Sequence, residues 1–145
     1  MLYDHLLLGS QLGKKFLSDT SIEIILSSIE KLEREKGFIR YASEDDLDGL
    51  DNYYKDKSPT GKSAEWTMGF GYAALIYSHL GIPDKAYTYI EKMESTFDWN
   101  TGLGLPEAYY GGTSHVVPVS PLSWSNALYL MAYETMQVNE LNSIK

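Results

Sequence analysis

The chain contains no cysteine. That excludes disulfides and thiolate metal sites, and it fits a reducing, cytoplasmic setting. Basic residues are scarce: 12 Lys and Arg stand against 20 Asp and Glu, a net charge of −8. A chain this acidic lacks the basic stripe that a nucleic-acid backbone requires. An anionic membrane surface would repel it. A neutral ligand is indifferent to such a charge. No apolar run approaches the roughly 18 residues needed to cross a bilayer. The opening MLYDHLLLGS carries Asp4 and His5 and no basic segment, so it reads poorly as a signal peptide. The three histidines, His5, His79 and His115, are scattered without metal-ligand spacing. There is no G-x-S-x-G, no phosphate-cradling loop and no dinucleotide fingerprint. Neither a metal nor a cofactor is expected.

Aromatic residues are what the chain has in quantity. They make up 13% of it, and tyrosine alone occurs 12 times. Tyr and Trp combine a flat apolar face with a polar tip, which suits cores near water, protein interfaces and sugar-binding clefts. Apolar residues reach 43%, normal for one globular domain of 145 residues.

No β pattern of any length is present, and the periodicity is helical. Leu2, Leu6 and Leu7 suggest a helix within the first twenty residues, extending to Phe16. A helix is expected from Ser18 to Gly37, with Thr20 and Glu23 at capping-box spacing and Ile22, Ile25, Ile29 and Leu32 inward. Residues 38–63 then read as a long polar loop, partly ordered. Ala64 to Leu80 predicts a helix with Trp66, Phe70, Ala73, Tyr77 and Leu80 on one face. Gly69 and Gly71 weaken it locally and permit close packing. Gly81 and Pro83 separate it from a third helix to about Phe97, with Ala86, Ile90, Met93 and Phe97 inward. The short connection makes these two an antiparallel hairpin. A second long loop, Asp98 to Ser120, leads to a helix from Pro121 to Val138, whose shared face is Trp124, Ala127, Leu128, Met131 and Thr135.

The two long loops hold the residues that could carry chemistry. Glu107 follows Pro106 and precedes Tyr109 and Tyr110. It is either a solvated loop carboxylate or a general base, which must be held within hydrogen-bond reach of its proton. Arg40 offers a rigid fork of donors for hydroxyls or a carboxylate, or it simply pairs with a nearby acid such as Glu44, Asp45 or Asp46. Trp66 and Trp124 each lie near a helix start after a long loop. They either stack a sugar ring or pack in the core.

The segments GFIRY with acids after it, EW opening a helix, YSHLGIPDKAYTYIEKM, GLGLPEAYYGG and SPLSWSNALYLMAY resemble the C-terminal part of glycoside hydrolase family 15. That is the glucoamylase-like family, which includes glucodextranases and some trehalases. The likeness runs over roughly residues 30 to 136. It implies an all-α fold in which helical hairpins form part of an (α/α)6 barrel, an incomplete toroid. It also implies inverting hydrolysis of an α-glucoside or oligosaccharide. In that chemistry an acid protonates the leaving oxygen and a carboxylate activates water from the other face, the two lying about 6.5–9.5 Å apart. By this resemblance Glu107 is the base. Arg40 and Tyr41 form the Arg-Tyr motif that holds the sugar, with Glu44 or Asp45 as its following acid. Trp66 and Tyr109 line the cleft, and Ser123 and Trp124 pack behind the base.

The family's general acid lies upstream, in a segment without a counterpart here. The chain is therefore expected to be a C-terminal portion with the base and not the acid, completed by a missing N-terminal half or by a homo-oligomer. The rival expectation is a non-catalytic helical module that binds sugar or self-associates through an uncovered apolar face.

Overall fold

A computed structural model describes residues 17–43, 47–97, 104–118 and 123–143. Among them are five helices, α1 (Asp19–Glu30), α2 (Gly49–Lys57), α3 (Met68–His79), α4 (Pro83–Glu94) and α5 (Ser123–Ser143), and two strands, β1 (Glu65–Trp66) and β2 (Ala108–Tyr109). The described residues are mostly helical, with one two-stranded sheet among them. The helix expected before Phe16 lies outside the described residues.

Helices α3 and α4 form the centre. Gly81, at φ +71°, makes the turn between them, and Pro83 opens α4 where its missing N–H costs nothing. Nearly every residue of α3 from Phe70 to Ser78 is buried, as expected of a helix that is apolar all round. Helix α4 is amphipathic and buries Ala86, Tyr89, Ile90 and Met93. Phe97 packs against the same cluster.

Helix α5 crosses α3 closely. A Cβ on Gly71 would stand 2.7 Å from Cβ of Leu128, so only glycine permits this approach. The inward face of α5 is Ser125, Leu128, Ala132 and Met136. Of the face expected from the sequence, Leu128 is buried, while Trp124, Ala127 and Met131 are exposed. Apolar residues occupy more than one side of this helix, so periodicity alone selected the wrong stripe.

Helix α1 ends at Glu30 rather than near Gly37. Its N-cap is Ser18, whose hydroxyl accepts from the Ser21 N–H at 3.1 Å, in place of the expected Thr20–Glu23 box. Ile22 is buried against Ile76. The C-terminal end of α1 is tied to the hairpin: Tyr77 Oη donates to Glu30 at 2.6 Å, Tyr89 Oη donates to Glu33 at 2.8 Å, and Lys92 pairs with Glu33. The chain then turns back, and Phe38 forms a bridge with Trp66. Gly37 does not stop a helix. A Cβ there would lie 2.5 Å from the Trp66 carbonyl oxygen.

The order expected in part of residues 38–63 is helix α2, which Asp48 caps by accepting from Leu50 N–H at 3.0 Å and Asp51 N–H at 2.9 Å. One further expectation is corrected. Residues 64–66 do not begin a helix. Trp66 and Glu65 pair antiparallel with Ala108 and Tyr109, so α3 starts at Met68.

Candidate functional site

Arg40 follows the Phe38–Trp66 bridge, and its guanidinium lies 5.0 Å from the centre of the Trp66 ring and 5.5 Å from that of Tyr41. One guanidinium nitrogen stands 3.1 Å from Asp48 Oδ2 and the other 3.0 Å from Asp51 Oδ2. The second contact is ionic rather than a directed hydrogen bond, since Oδ2 has no hydrogen-bond partner of good geometry. The other Asp51 oxygen accepts from Trp66 Nε1 at 2.9 Å. Tyr41 Oη donates to Asp48 at 3.2 Å. The first turn of α2 thus supplies two carboxylates that hold Arg40, Trp66 and Tyr41 in one arrangement.

The environments of the two carboxylates differ. The backbone N–H of Asp51, followed by Arg40's charge, holds Asp48 below the usual carboxylate range. Burial pushes Asp51 up, with Trp66 and Arg40 opposing.

Glu107 lies within electrostatic range of the same arginine. Burial raises its pKa and the Arg40 charge opposes that rise, while no hydrogen bond to the carboxylate contributes. Its negative charge also raises the hydroxyl pKa of Tyr54, after burial. The side chain is half-buried, yet its main chain is firmly held. Thr67 N–H donates to the Glu107 carbonyl at 3.2 Å. The buried Thr67 hydroxyl donates to the Pro106 carbonyl at 2.6 Å and stands 3.0 Å from the Ser125 hydroxyl. Asn126, the next residue of α5, accepts from Leu105 N–H at 3.4 Å. Two helix starts therefore grip the segment that presents Glu107.

The structure brings Arg40, Tyr41, Trp66 and Glu107 into one neighbourhood. Trp66 is buried, with Arg40 over its face and Tyr54 against it at 6.0 Å between ring centres. Tyr109 is turned inward, and its hydroxyl donates to the Thr96 carbonyl at 3.0 Å. Trp124 is exposed and meets Tyr72 edge-on at 6.3 Å. The contact behind Glu107 expected of Ser123 and Trp124 is made by Ser125 and Asn126. Glu44 and Asp45 lie outside the described residues.

Comparison with known protein families, with curated proteins and with solved structures returned no match. The side chains themselves must carry the functional reading. Three of them, Asp48, Asp51 and Tyr54, were not singled out from sequence. Asp48-x-x-Asp51 is a helix-start signature that could have been read. Tyr54, 6.2 Å from Tyr110, left no comparable signal. Among the described residues no group of three His, Asp or Glu could hold a metal ion, and no helix is long and apolar enough to cross a membrane.

Proposed function

We propose that the chain carries the general-base half of a glucoamylase-like, inverting α-glucosidase site, in a helical arc that forms part of an (α/α)6 toroid. Its substrate is an α-glucoside of the maltodextrin or trehalose type. Glu107 is the base that activates water, and Arg40 holds the sugar. The observation that carries this reading is the half-buried Glu107 carboxylate lying within electrostatic range of Arg40. A half-buried carboxylate with no side-chain hydrogen bond among the described residues, raised by burial and countered by one arginine, is poised to take a proton from water. Asp48 and Asp51 are engaged with Arg40, so neither serves as the acid. That group comes from a missing N-terminal half or a second copy.

The test is glucose release from maltose, a longer maltodextrin and trehalose. The chain alone is expected to turn over little. Combined with the segment that supplies the acid, it should gain activity that falls about 10²–10⁴-fold in Glu107→Gln. Activity that survives Glu107→Gln would rule Glu107 out as the base.

A second reading is favoured by α5. Trp124, Leu130, Met131 and Val138 are all exposed on it, as on the surface of an interaction module. Concentration-dependent association that is abolished by Met131→Lys, without any sugar turnover, would favour that reading.

A further inference from the structure

Glu65 is a buried carboxylate that the site above does not use. Only 4% of it is exposed. One oxygen accepts from Lys36 N–H at 2.8 Å and the other from Gly112 N–H at 2.7 Å. Two cavities flank it. The larger, about 330 Å³, is lined by Arg34, Ile39, Tyr41, Lys62 and Ser63 together with Glu65. The smaller, about 210 Å³, is lined by Glu35, Lys36, Thr113 and Ser114, and both share Glu65 and Gly112. The larger alone falls in the range of about 300–1,000 Å³ typical of small-ligand sites.

The lining chemistry selects the ligand class. The Glu65 carboxylate, which lines both cavities, opposes an anion. Arg34 and Lys62 on the larger cavity oppose a cation, and on the smaller one Glu35 and Lys36 offset each other as an ion pair at 3.4 Å. Donors and acceptors alternate instead: Lys62, Ser63 and Ser114 beside the carboxylate, with Ile39 and Tyr41 giving apolar faces. Each Glu65 oxygen accepts one backbone N–H and keeps a second lone-pair direction. Among the described residues the Lys62 ammonium enters no ion pair or hydrogen bond, so it is available as a donor. We infer that the paired cavities around Glu65 bind a neutral polyhydroxylated ligand, a saccharide of about two rings. Neither Glu107 nor Arg40 lines them. The inference stands on the cavities and does not require Glu107 to act as a base.

The Lys36 and Gly112 amides report on the site, because a ligand hydroxyl on Glu65 weakens the hydrogen bonds they make. The experiment is a titration of isotope-labelled Glu107→Gln protein, which cannot consume the sugar by the proposed route, followed by amide NMR. Maltose, trehalose and cellobiose are the probes and citrate is the anionic control. At least one disaccharide is expected to shift the Lys36 and Gly112 amides saturably, and citrate is not. Lys62→Ala, an exposed change that spares the fold, should weaken that binding about 3–10-fold, the loss of one hydrogen bond. The inference is overturned if no disaccharide moves these amides, if citrate moves them equally, or if Lys62→Ala binds unchanged. Glucose release is scored separately, so failure here leaves the reading of Glu107 intact.

Discussion

The indole nitrogen of Trp66 donates to Asp51 at 2.9 Å, and the same carboxylate meets Arg40 through its other oxygen at 3.0 Å. One side chain from α2 therefore fixes both an aromatic ring in the sheet and the arginine lying over it. Arg40 is pinned from below before any ligand arrives, which lowers the ordering cost of binding.

Replacing Asp51 with alanine leaves the buried Trp66 N–H without its acceptor and Arg40 with one carboxylate fewer. We expect a loss of about 1–3 kcal/mol in urea unfolding. Asp51→Asn keeps an acceptor for the indole and should lose less. Equal losses in the two variants would show that the Trp66 bond contributes nothing.

The Thr67 hydroxyl can be removed without changing shape by Thr67→Val. The Pro106 carbonyl then loses its donor in a buried place, at a cost of about 1–3 kcal/mol. Hydrogen exchange at Glu107 and Ala108 should quicken, and Thr67→Ser should restore protection. A valine variant as protected as the parent would mean that the backbone bonds alone hold this segment.

Two glycines should respond in opposite directions. Gly71→Ala drives a methyl to 2.7 Å from Leu128 Cβ and should destabilise the chain by about 1–3 kcal/mol despite better helix propensity. At Gly49 an added Cβ meets nothing within 4 Å, so Gly49→Ala should gain about 0.4–1 kcal/mol. Thermal or urea unfolding of the pair reads the contrast directly.

Glu107 makes stability depend on pH. Burial raises its folded-state pKa above the unfolded value, so the folded chain binds more protons in the window between the two. Stability from this residue is therefore highest below the ordinary carboxylate pKa, about 4.3. It falls as pH rises through the raised value. Glu107→Gln should melt higher than the parent at pH 7, and its advantage should shrink as pH is lowered toward 4. A variant that melts lower at pH 7 would contradict the burial penalty.

Long, strongly periodic elements were legible from sequence, and short ones were not. Ala86, Ile90 and Met93 defined the inner face of α4, and Gly81 with Pro83 marked its start. Helix α2 was hidden because its buried face is one aspartate and one tyrosine, Asp51 and Tyr54, which carry no apolar period. Two-residue strands are too short to alternate, so Glu65 and Trp66 passed for the opening of a helix. Helix α5 was placed correctly and rotated wrongly. Ser125 is buried there because Thr67 bonds to it, a contact 58 residues away in sequence, and Trp124 beside it is left outside. Arg40 and Trp66 were selected from sequence, but that Asp51 holds both is defined by tertiary contacts.

The hydrogen bonds of Glu65 span 29 residues to Lys36 and 47 to Gly112. Closing the chain between such distant residues costs loop entropy that the α3–α4 hairpin, built from near neighbours, does not incur. The surface around Glu65 therefore exists only once three separate segments have come together. Any occupant of its two cavities would protect the whole chain from unfolding, rather than one turn of it.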